Sequence, residues 1–179
     1  MALLEILKFP HPTLAKVAKS VEAVTAETLR LIEDMVETMY AAPGVGLAAP
    51  QVGKSQRIIV LDTDHENPGK QLLKLINPEI RHAEGELIWE EGCLSVVDFT
   101  VELKRAARVK LVALNEQEKE VSIDAEGLLA VAFQHEIDHL NGKLILDRVS
   151  RLKRDLYSRR LKKMARTGKP QPENAGMMI

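Results

Sequence analysis

The chain has 179 residues, of which 45% are hydrophobic and 28% charged, and its formal net charge is −1. This length allows one compact domain with a buried core, and the composition is ordinary for a globular protein. Glu5 interrupts the apolar start, so we expect no secretory signal, and no apolar stretch is long enough to cross a bilayer. Cys93 is the only cysteine, which excludes an internal disulfide and favours a reducing, cytoplasmic location.

The first predicted elements are an extended segment and a helix. The two prolines of Phe9–Pro12 disfavour helical backbone at the residues before them, so this segment is predicted to be extended. Thr25 is a suitable N-cap for a helix that ends at Pro43-Gly44, and the small-residue stretch 44–51 is predicted to form no regular element. The predicted buried stripe of this helix contains Leu29, Ile32, Val36 and Met39.

Three later segments are predicted to be strands because they are rich in aliphatic and β-branched residues. They are Arg57–Asp62, Leu72–Ile76 and Ala107–Leu114. Asn77-Pro78 is expected to end the second of them. In the third, alternation places one set of apolar side chains on the same side, namely Val109, Leu111 and Ala113.

Two further helices are predicted in the C-terminal half. Asp124 is a candidate cap for the first, and Asn141-Gly142 is typical of its end after Leu140. The second begins near Ser150 and spans about 150–167, with a flexible tail over 168–179. Its predicted apolar side contains Leu152, Leu156, Leu161 and Met164. We therefore predict one catalytic domain, residues 1–167, of the α+β class: small mixed or antiparallel sheets packed around a central helix, with a C-terminal helix.

The run His135-Glu136-Ile137-Asp138-His139 lies in the first of these two helices. Residues four apart share one helix face, so the two imidazoles can bind one metal ion and Glu136 can reach a water on it. This H-E-x-x-H pattern is typical of metallohydrolases. A lone histidine is usually a core residue, but two at this spacing around a glutamate favour a metal site.

The third ligand does not follow from this motif, although catalytic sites of this kind usually have three. The extended zincin pattern needs a histidine where this chain has Ile145. Cys93 is a strong ligand once deprotonated, but it lies 42 residues upstream of His135, and lone cysteines are often small buried hydrophobes. Ligand chemistry alone favours zinc. Other acids downstream lack a supporting pattern, namely Asp147, Asp155 and Glu173.

Three stretches resemble, in order, the motifs of peptide deformylases. They are Gly-Val-Gly-Leu-Ala-Ala-Pro-Gln at 44–51, Glu-Gly-Cys-Leu-Ser at 91–95 and His-Glu-Ile-Asp-His at 135–139. The likeness extends from about Ile6 to Ala165. It implies that Cys93, His135 and His139 bind one divalent ion, with Fe²⁺ as the native metal and Zn²⁺, Ni²⁺ or Co²⁺ able to replace it.

The resemblance also implies an activity: removal of the N-formyl group from the N-terminal formyl-methionine of newly made polypeptides. A metal-bound water would attack the formyl carbon with Glu136 as general base, releasing formate. The Gln51 side-chain amide and the Leu94 backbone N–H would stabilise the oxyanion. Implied substrate-binding residues are Val45, Gly46, Glu91, Leu128 and Val131. Of these, Val45, Leu128 and Val131 are also suitable core residues. An ion pair between Glu91 and Arg105 would brace the segment that follows Ser95.

The charge of the chain is uneven and bears on its partners. Nine basic residues lie between Arg151 and Lys169 against one acid, Asp155. Ribosomal RNA is polyanionic, so residues 151–169 are predicted to dock on the ribosome near emerging chains, whereas no DNA or membrane partner is expected. The alternative interpretation is that these charges only keep a surface helix solvated.

Two rival classes stay open at the level of sequence. One is a zincin-like peptidase that uses the same helix, and the other is a non-catalytic paralogue that binds a metal. The non-catalytic paralogue is considered because of the segment Val96–Thr100. This segment has Val97 where deformylases often have proline and Thr100 where they often have arginine. This departure puts peptide preference in doubt more than the hydrolytic chemistry.

Overall fold

The chain forms two antiparallel sheets and three α-helices in the computed structural model, which describes residues 2–168 and residue 179. The helices are α1 (Ala26–Ala41), α2 (Gly127–Leu140) and α3 (Arg151–Thr167). The strands are β1 (Gly46–Ala48), β2 (Ile58–Leu61), β3 (Leu73–Glu84), β4 (Leu87–Cys93), β5 (Val96–Arg105), β6 (Arg108–Leu114) and β7 (Glu120–Glu126).

The larger sheet has the strand order β1-β2-β3-β6-β7, and β4 and β5 form a separate hairpin. Every pairing between these strands is antiparallel. The predicted α+β class is therefore confirmed, with α2 as the helix that carries the histidine motif. None of the described helices is long and apolar enough to cross a bilayer.

Strand β2 separates two hydrophobic clusters and is buried on both faces. Ile59 and Leu61 belong to the cluster that includes Val131 and Phe133 of α2. The alternate residues of β2, together with the buried residues of α1, form the second cluster. Helices α1 and α2 thus cover opposite faces of the sheet, which holds α2 firmly against β1 and β2.

Helix α1 begins as predicted but buries a different stripe. Thr25 is its N-cap, and the Thr25 hydroxyl accepts a hydrogen bond from the Thr28 N–H. Leu29 is 36% exposed, so its assignment to the buried stripe was wrong. The actual stripe is shifted and wider because α1 covers both the sheet and the following loop, and it contains Leu31, Ile32, Met35, Val36 and Met39.

The strand predictions were right in position and incomplete in extent. Strands β2 and β6 lie where predicted, and Val109, Leu111 and Ala113 are all buried. Strand β3 does not end at Asn77-Pro78: Asn77 has a positive φ of 50°, and a register shift between Ile76 and Glu79 carries the strand past the proline. Stretch 44–51 is also more regular than expected, since β1 is followed by a 3₁₀ turn over Ala49–Val52.

The start of α2 was also predicted wrongly. Asp124 does not cap the helix, because it lies in β7 opposite Lys110, and Glu126 is the residue before the first helical turn. The predicted end is correct: Leu140 is the last helical residue, and Gly142 turns the chain with φ 72°.

Helix α3 lies on the surface, and its apolar face was predicted correctly only at Leu161 and Met164, which are partly buried. Ser150 is the N-cap and accepts a hydrogen bond from the Lys153 N–H. Leu152 is 69% exposed and Leu156 is 53% exposed, while Tyr157 is the one buried residue of this helix. The predicted flexible tail mostly lies outside the described residues. Ile179 is described, and its side chain is buried in the cluster that contains Val131.

Gly142 makes a close approach that a side chain would disrupt. A Cβ at this position would lie 2.6 Å from the Ala15 carbonyl oxygen, whereas a Cβ at Gly127, with a similar φ of 61°, would meet nothing within 4 Å. Gly142→Ala and Gly127→Ala should each lose about 1 kcal/mol of unfolding free energy from backbone strain. Gly142→Ala should lose roughly 1–3 kcal/mol more through steric overlap. Urea unfolding of the two variants measures the difference, and equal losses would contradict this account.

Candidate metal centre

Strand β4 and helix α2 bring three metal-ligating side chains together. Cys93 is the last residue of β4, and His135 and His139 lie one turn apart on α2. All three are buried, and their ligand atoms lie within 4.8 Å of one another. The fold therefore closes the gap of 42 residues between the thiol and the first imidazole.

The spacing of the ligand atoms fits one tetrahedral ion. Nε2 of His135 is 3.2 Å from Nε2 of His139. Nε2 of His139 is 3.4 Å from Sγ of Cys93. With ordinary metal–nitrogen and metal–sulfur bonds, a tetrahedral site spaces two nitrogens by about 3.3 Å and a nitrogen and a sulfur by about 3.5 Å. Two of the three donor–donor distances thus match those of a single divalent cation, and the third lies within 4.8 Å.

Glu91 holds His135 in the orientation that a ligand needs. Its Oε1 lies 2.9 Å from Nδ1 of His135. Because a carboxylate accepts at Nδ1, that nitrogen carries the proton and Nε2 keeps its lone pair toward Cys93 and His139. The pKa of Glu91 is lowered: burial alone would raise it, but hydrogen bonds from Arg105 and His135 outweigh burial.

A buried chain of ion pairs continues from Glu91 to the surface. Arg105 donates to both oxygens of Glu91 and to Oδ2 of Asp138, each at 2.7 Å. Asp138 also accepts from Nε and Nη2 of Arg148, at 2.6 and 2.7 Å. The sequence predicted the pair of Glu91 with Arg105 but gave no signal for Arg148. Asp138 stood inside the histidine motif without an assigned role.

Glu136 lies beside the cluster in a space that only a glycine can leave open. A Cβ at Gly46 would lie 2.6 Å from Oε1 of Glu136. Both carboxylate oxygens of Glu136 are buried and have no hydrogen-bond partner among the described residues. Burial raises the pKa of Glu136 well above its usual value, and the negative charges of Glu91 and Asp138 act in the same direction.

The same burial shifts the pKa values of two ligands toward their neutral forms. It raises the pKa of the Cys93 thiol to about 12, although the Ser95 and Val96 amides and Lys8 oppose the shift. It lowers the pKa of His139 well below its usual value, assisted by His135. A neutral imidazole can ligate directly, whereas the thiol must lose its proton when a cation binds.

The two predicted oxyanion donors lie next to the ligands. Oε1 of Gln51 accepts from the Ala48 N–H at 2.9 Å, so its amide nitrogen faces the cluster, 3.9 Å from Sγ of Cys93. That nitrogen also donates to the Ser95 hydroxyl at 3.1 Å. Leu94 is buried and directly follows Cys93. Ser95 stood at the end of the Glu-Gly-Cys-Leu-Ser motif without an assigned role, because its bond to Gln51 depends on the fold.

The predicted substrate-binding residues lie on the same side of the sheet as α2. Val45 and Val131 are fully buried in the first cluster, and Leu128 is partly buried against it. Gly46 lies in β1, which is an edge strand of the five-stranded sheet. Glu91 is fully buried, with its oxygens bonded to Arg105 and His135. Whether these residues contact substrate stays a prediction.

The unusual segment Val96–Thr100 forms the first half of β5. The Val97 carbonyl accepts a hydrogen bond from the Tyr157 hydroxyl at 2.7 Å, which joins this segment to α3. Phe99 packs against the same tyrosine ring, with centroids 5.2 Å apart. The departure from the deformylase pattern therefore falls where strand and surface helix meet.

Comparison with known proteins decides the family. The sequence profile of the family described as polypeptide deformylase matches residues 3–155. This chain belongs to the polypeptide deformylase family. It is 50% identical to the peptide deformylase of Thermodesulfovibrio yellowstonii over 162 residues, covering 90% of this chain and 98% of the relative.

Solved deformylase structures have the same fold. The peptide deformylase of Legionella pneumophila superposes with a TM-score of 0.87 at 45% identity, over 96% of this chain and 100% of that chain. That of Ehrlichia chaffeensis, crystallised in complex with actinonin, gives a TM-score of 0.86 at 38% identity, covering 93% of this chain and 99% of that chain. The protein is thus a deformylase-family hydrolase that removes formyl groups, and a zincin-like peptidase is no longer a rival.

We predict that Glu91 controls metal affinity through His135. Glu91→Gln removes the charge that orients the imidazole and should weaken metal binding about 10-fold to 100-fold. Glu90→Gln is the matched control, because Glu90 precedes it on β4 and is exposed. Competition with a chelator measures both affinities. Equal affinities in the two variants would show that Glu91 does not act on the metal site.

Proposed function

We propose that the protein removes the formyl group from the N-terminal formyl-methionine of newly made polypeptides, with Glu136 as general base. The observation that carries this proposal is the unpartnered Glu136 carboxylate beside three buried ligand side chains. A metal-assisted hydrolase needs a base within reach of the water that attacks, and Glu136 is the carboxylate held at that point. Membership of the deformylase family supports the choice of substrate.

Cys93, His135 and His139 would hold one divalent ion, and the spacing of their ligand atoms supports that assignment. The ion supplies Lewis-acid chemistry, activating a water and polarising the formyl oxygen. We propose Fe²⁺ as the native metal, from the likeness to deformylases, with Zn²⁺, Ni²⁺ or Co²⁺ able to replace it. The thiol and imidazole donors are equally suited to zinc, so metal analysis must decide.

Glu136 would move one proton in each turnover. It takes a proton from the attacking water as the carbon–oxygen bond forms, then gives it to the amine nitrogen as the formyl carbon–nitrogen bond breaks. The products are formate and a free N-terminus. Burial already raises the pKa of Glu136, which makes its carboxylate a stronger base than an exposed glutamate.

Gln51 and Leu94 would stabilise the charge that develops on the formyl oxygen. The amide nitrogen of Gln51 is fixed by the bond of its own oxygen to Ala48, so it needs no reorientation during the reaction. Leu94 would contribute its backbone N–H from the turn after Cys93. Both donors are neutral, so neither competes with Glu136 for a proton.

The substrate would bind along β1 and place its methionine side chain among apolar residues. The free edge of a strand offers backbone groups to an extended peptide, and Gly46 lies on such an edge. The slot for the methionine would be lined by Val45, Leu128 and Val131. Glu91 would support this slot through its bond to His135. Because the contacts are mostly to main chain, many sequences after methionine would be accepted.

We further propose that α3 docks on the ribosome in the cytoplasm, where formylated chains emerge. Helix α3 is exposed apart from buried Tyr157 and partly buried side chains such as Leu161. Arg154 pairs with Asp147, and Arg160 donates to the Asp98 carbonyl. The polyanionic backbone of ribosomal RNA is the natural partner for the remaining basic side chains.

The catalytic assignment is tested with two variants. Glu136→Gln should retain the metal and lose at least about 100-fold in formate release from formyl-Met-Ala-Ser, because it cannot accept a proton. Cys93→Ser should lose metal, measured per chain after purification without oxygen, where iron is expected in the wild type. Unformylated peptide is the control substrate. An active Glu136→Gln enzyme, or full metal in Cys93→Ser, would refute the corresponding role.

The ribosome proposal is tested by reversing charge on α3. Lys162→Glu combined with Lys163→Glu should weaken ribosome binding about 10-fold at low salt and leave formate release from a free tripeptide unchanged. Lys104→Glu is the control, because Lys104 is exposed on β5, away from α3. Sedimentation with ribosomes over a range of salt concentrations measures binding. Undiminished affinity in the double variant would rule out docking through α3.

A further inference from the structure

One segment, Leu7–Phe9, is hydrogen-bonded to both loops that carry the proposed oxyanion donors. The Leu7 N–H donates to the Gln51 carbonyl at 2.7 Å, and the Phe9 N–H donates to the Ser95 carbonyl at 2.8 Å. Between them, Nζ of Lys8 donates to the Leu94 carbonyl at 2.7 Å. Three consecutive residues thus bond to backbone carbonyls in two motifs. The two proposed donors in these motifs, Gln51 and Leu94, are 43 residues apart in the sequence.

The two donor loops also touch each other directly, through the bond from the Gln51 amide to the Ser95 hydroxyl at 3.1 Å. The segment and this bond close a ring of contacts around the donors. In such a ring the distance between the Gln51 amide and the Leu94 N–H is set by the backbone of Leu7–Phe9. Oxyanion stabilisation depends on that distance, because both donors must reach the same oxygen.

We propose that Lys8 is a positioning residue, which holds the Leu94 peptide at the spacing from Gln51 that the developing oxyanion requires. Among the described residues Lys8 donates to the Leu94 carbonyl and makes no hydrogen bond to a metal ligand; its charge also acts on the Cys93 thiol, and Lys8→Arg keeps that charge. It bonds the Leu94 carbonyl and so restrains the Leu94 residue, whose N–H is the proposed oxyanion donor. This inference rests on the proposed function, since it assumes that Gln51 and Leu94 are the donors.

The chemistry of the three bonds makes Lys8 the accessible test. The bonds from Leu7 and Phe9 use backbone N–H groups, which every substitution except proline preserves. The bond from Lys8 uses a side chain, so it alone can be removed by mutation. Lys8 is an exposed residue, and its replacement leaves no cavity in the core. A hydrogen bond from a charged donor to a carbonyl is also stronger than one from a neutral donor, which helps to hold the Leu94 residue in place.

The experiment compares Lys8→Met, which keeps the length of the stem, with Lys8→Arg, which keeps a charged donor. In the metal-loaded enzyme, Lys8→Met should lower kcat for formyl-Met-Ala-Ser by about fivefold to tenfold with KM within about twofold of wild type. Lys8→Arg should recover most of the loss. Lys16→Met is the control, since Lys16 is another exposed lysine in the same region. It should behave as wild type.

A second readout does not depend on activity. Amide hydrogen exchange at Leu94 and Ser95 should be faster in Lys8→Met than in wild type, both with and without metal, and normal in Lys8→Arg. Metal content after loading with excess metal should be equal in all variants, because the three ligand side chains are unchanged.

The outcomes separate this inference from the proposed function. Unchanged kcat in Lys8→Met, a change in KM alone, or loss of metal would each overturn the positioning role. Unchanged exchange at residues 94–95 would overturn it as well. If the wild-type enzyme releases no formate, the proposed function fails instead, and the exchange comparison still decides whether Lys8 orders the Leu94 loop.

Discussion

The position of the metal-binding side chains depends on a single guanidinium, that of Arg105. It bonds both oxygens of Glu91, which orients His135, and it bonds Asp138, which lies next to His139 on α2. Burying any one of these charges alone would cost several kcal/mol, so each is stable only because its partners are present. Strand β5, strand β4 and helix α2 are thereby fixed relative to one another at the point where the ligands meet.

Burial also sets the chemistry of the site. It shifts the pKa values of Cys93 and Glu136 upward and that of His139 downward, so in each case the neutral form is favoured. A divalent cation reverses this preference for the two acids, because positive charge stabilises a thiolate and a carboxylate. In the proposed mechanism, the Cys93 thiolate and the Glu136 carboxylate would therefore form when the cation binds rather than be present at all times.

Much of the site could be predicted from the sequence, because its residues lie in short motifs. Cys93, His135 and His139 converge as predicted, and Thr25 and Ser150 cap their helices. The errors arise where tertiary contacts override local pattern. Asp124 has the chemistry of a cap, but pairing with β6 keeps it in a strand.

The missed residues share a physical cause. Lys8, Ser95 and Arg148 each act through side-chain hydrogen bonds to another segment of the chain, and a single side chain carries no periodicity that would mark it. The hairpin of β4 and β5 was likewise overlooked. Away from the turn that joins them, its strands alternate between exposed and more buried residues because only one face meets the rest of the protein, so neither has a long apolar run.

Helix α3 is attached to the rest of the protein chiefly through Tyr157. Its ring packs against Phe9 and Phe99, its hydroxyl bonds the Val97 carbonyl, and the Arg160 guanidinium lies over its face. The other attachments of α3, through Arg154, Arg160 and Leu161, lie on the same helix face as Tyr157. The opposite face can therefore change in composition while the arrangement of Cys93, His135 and His139 stays the same.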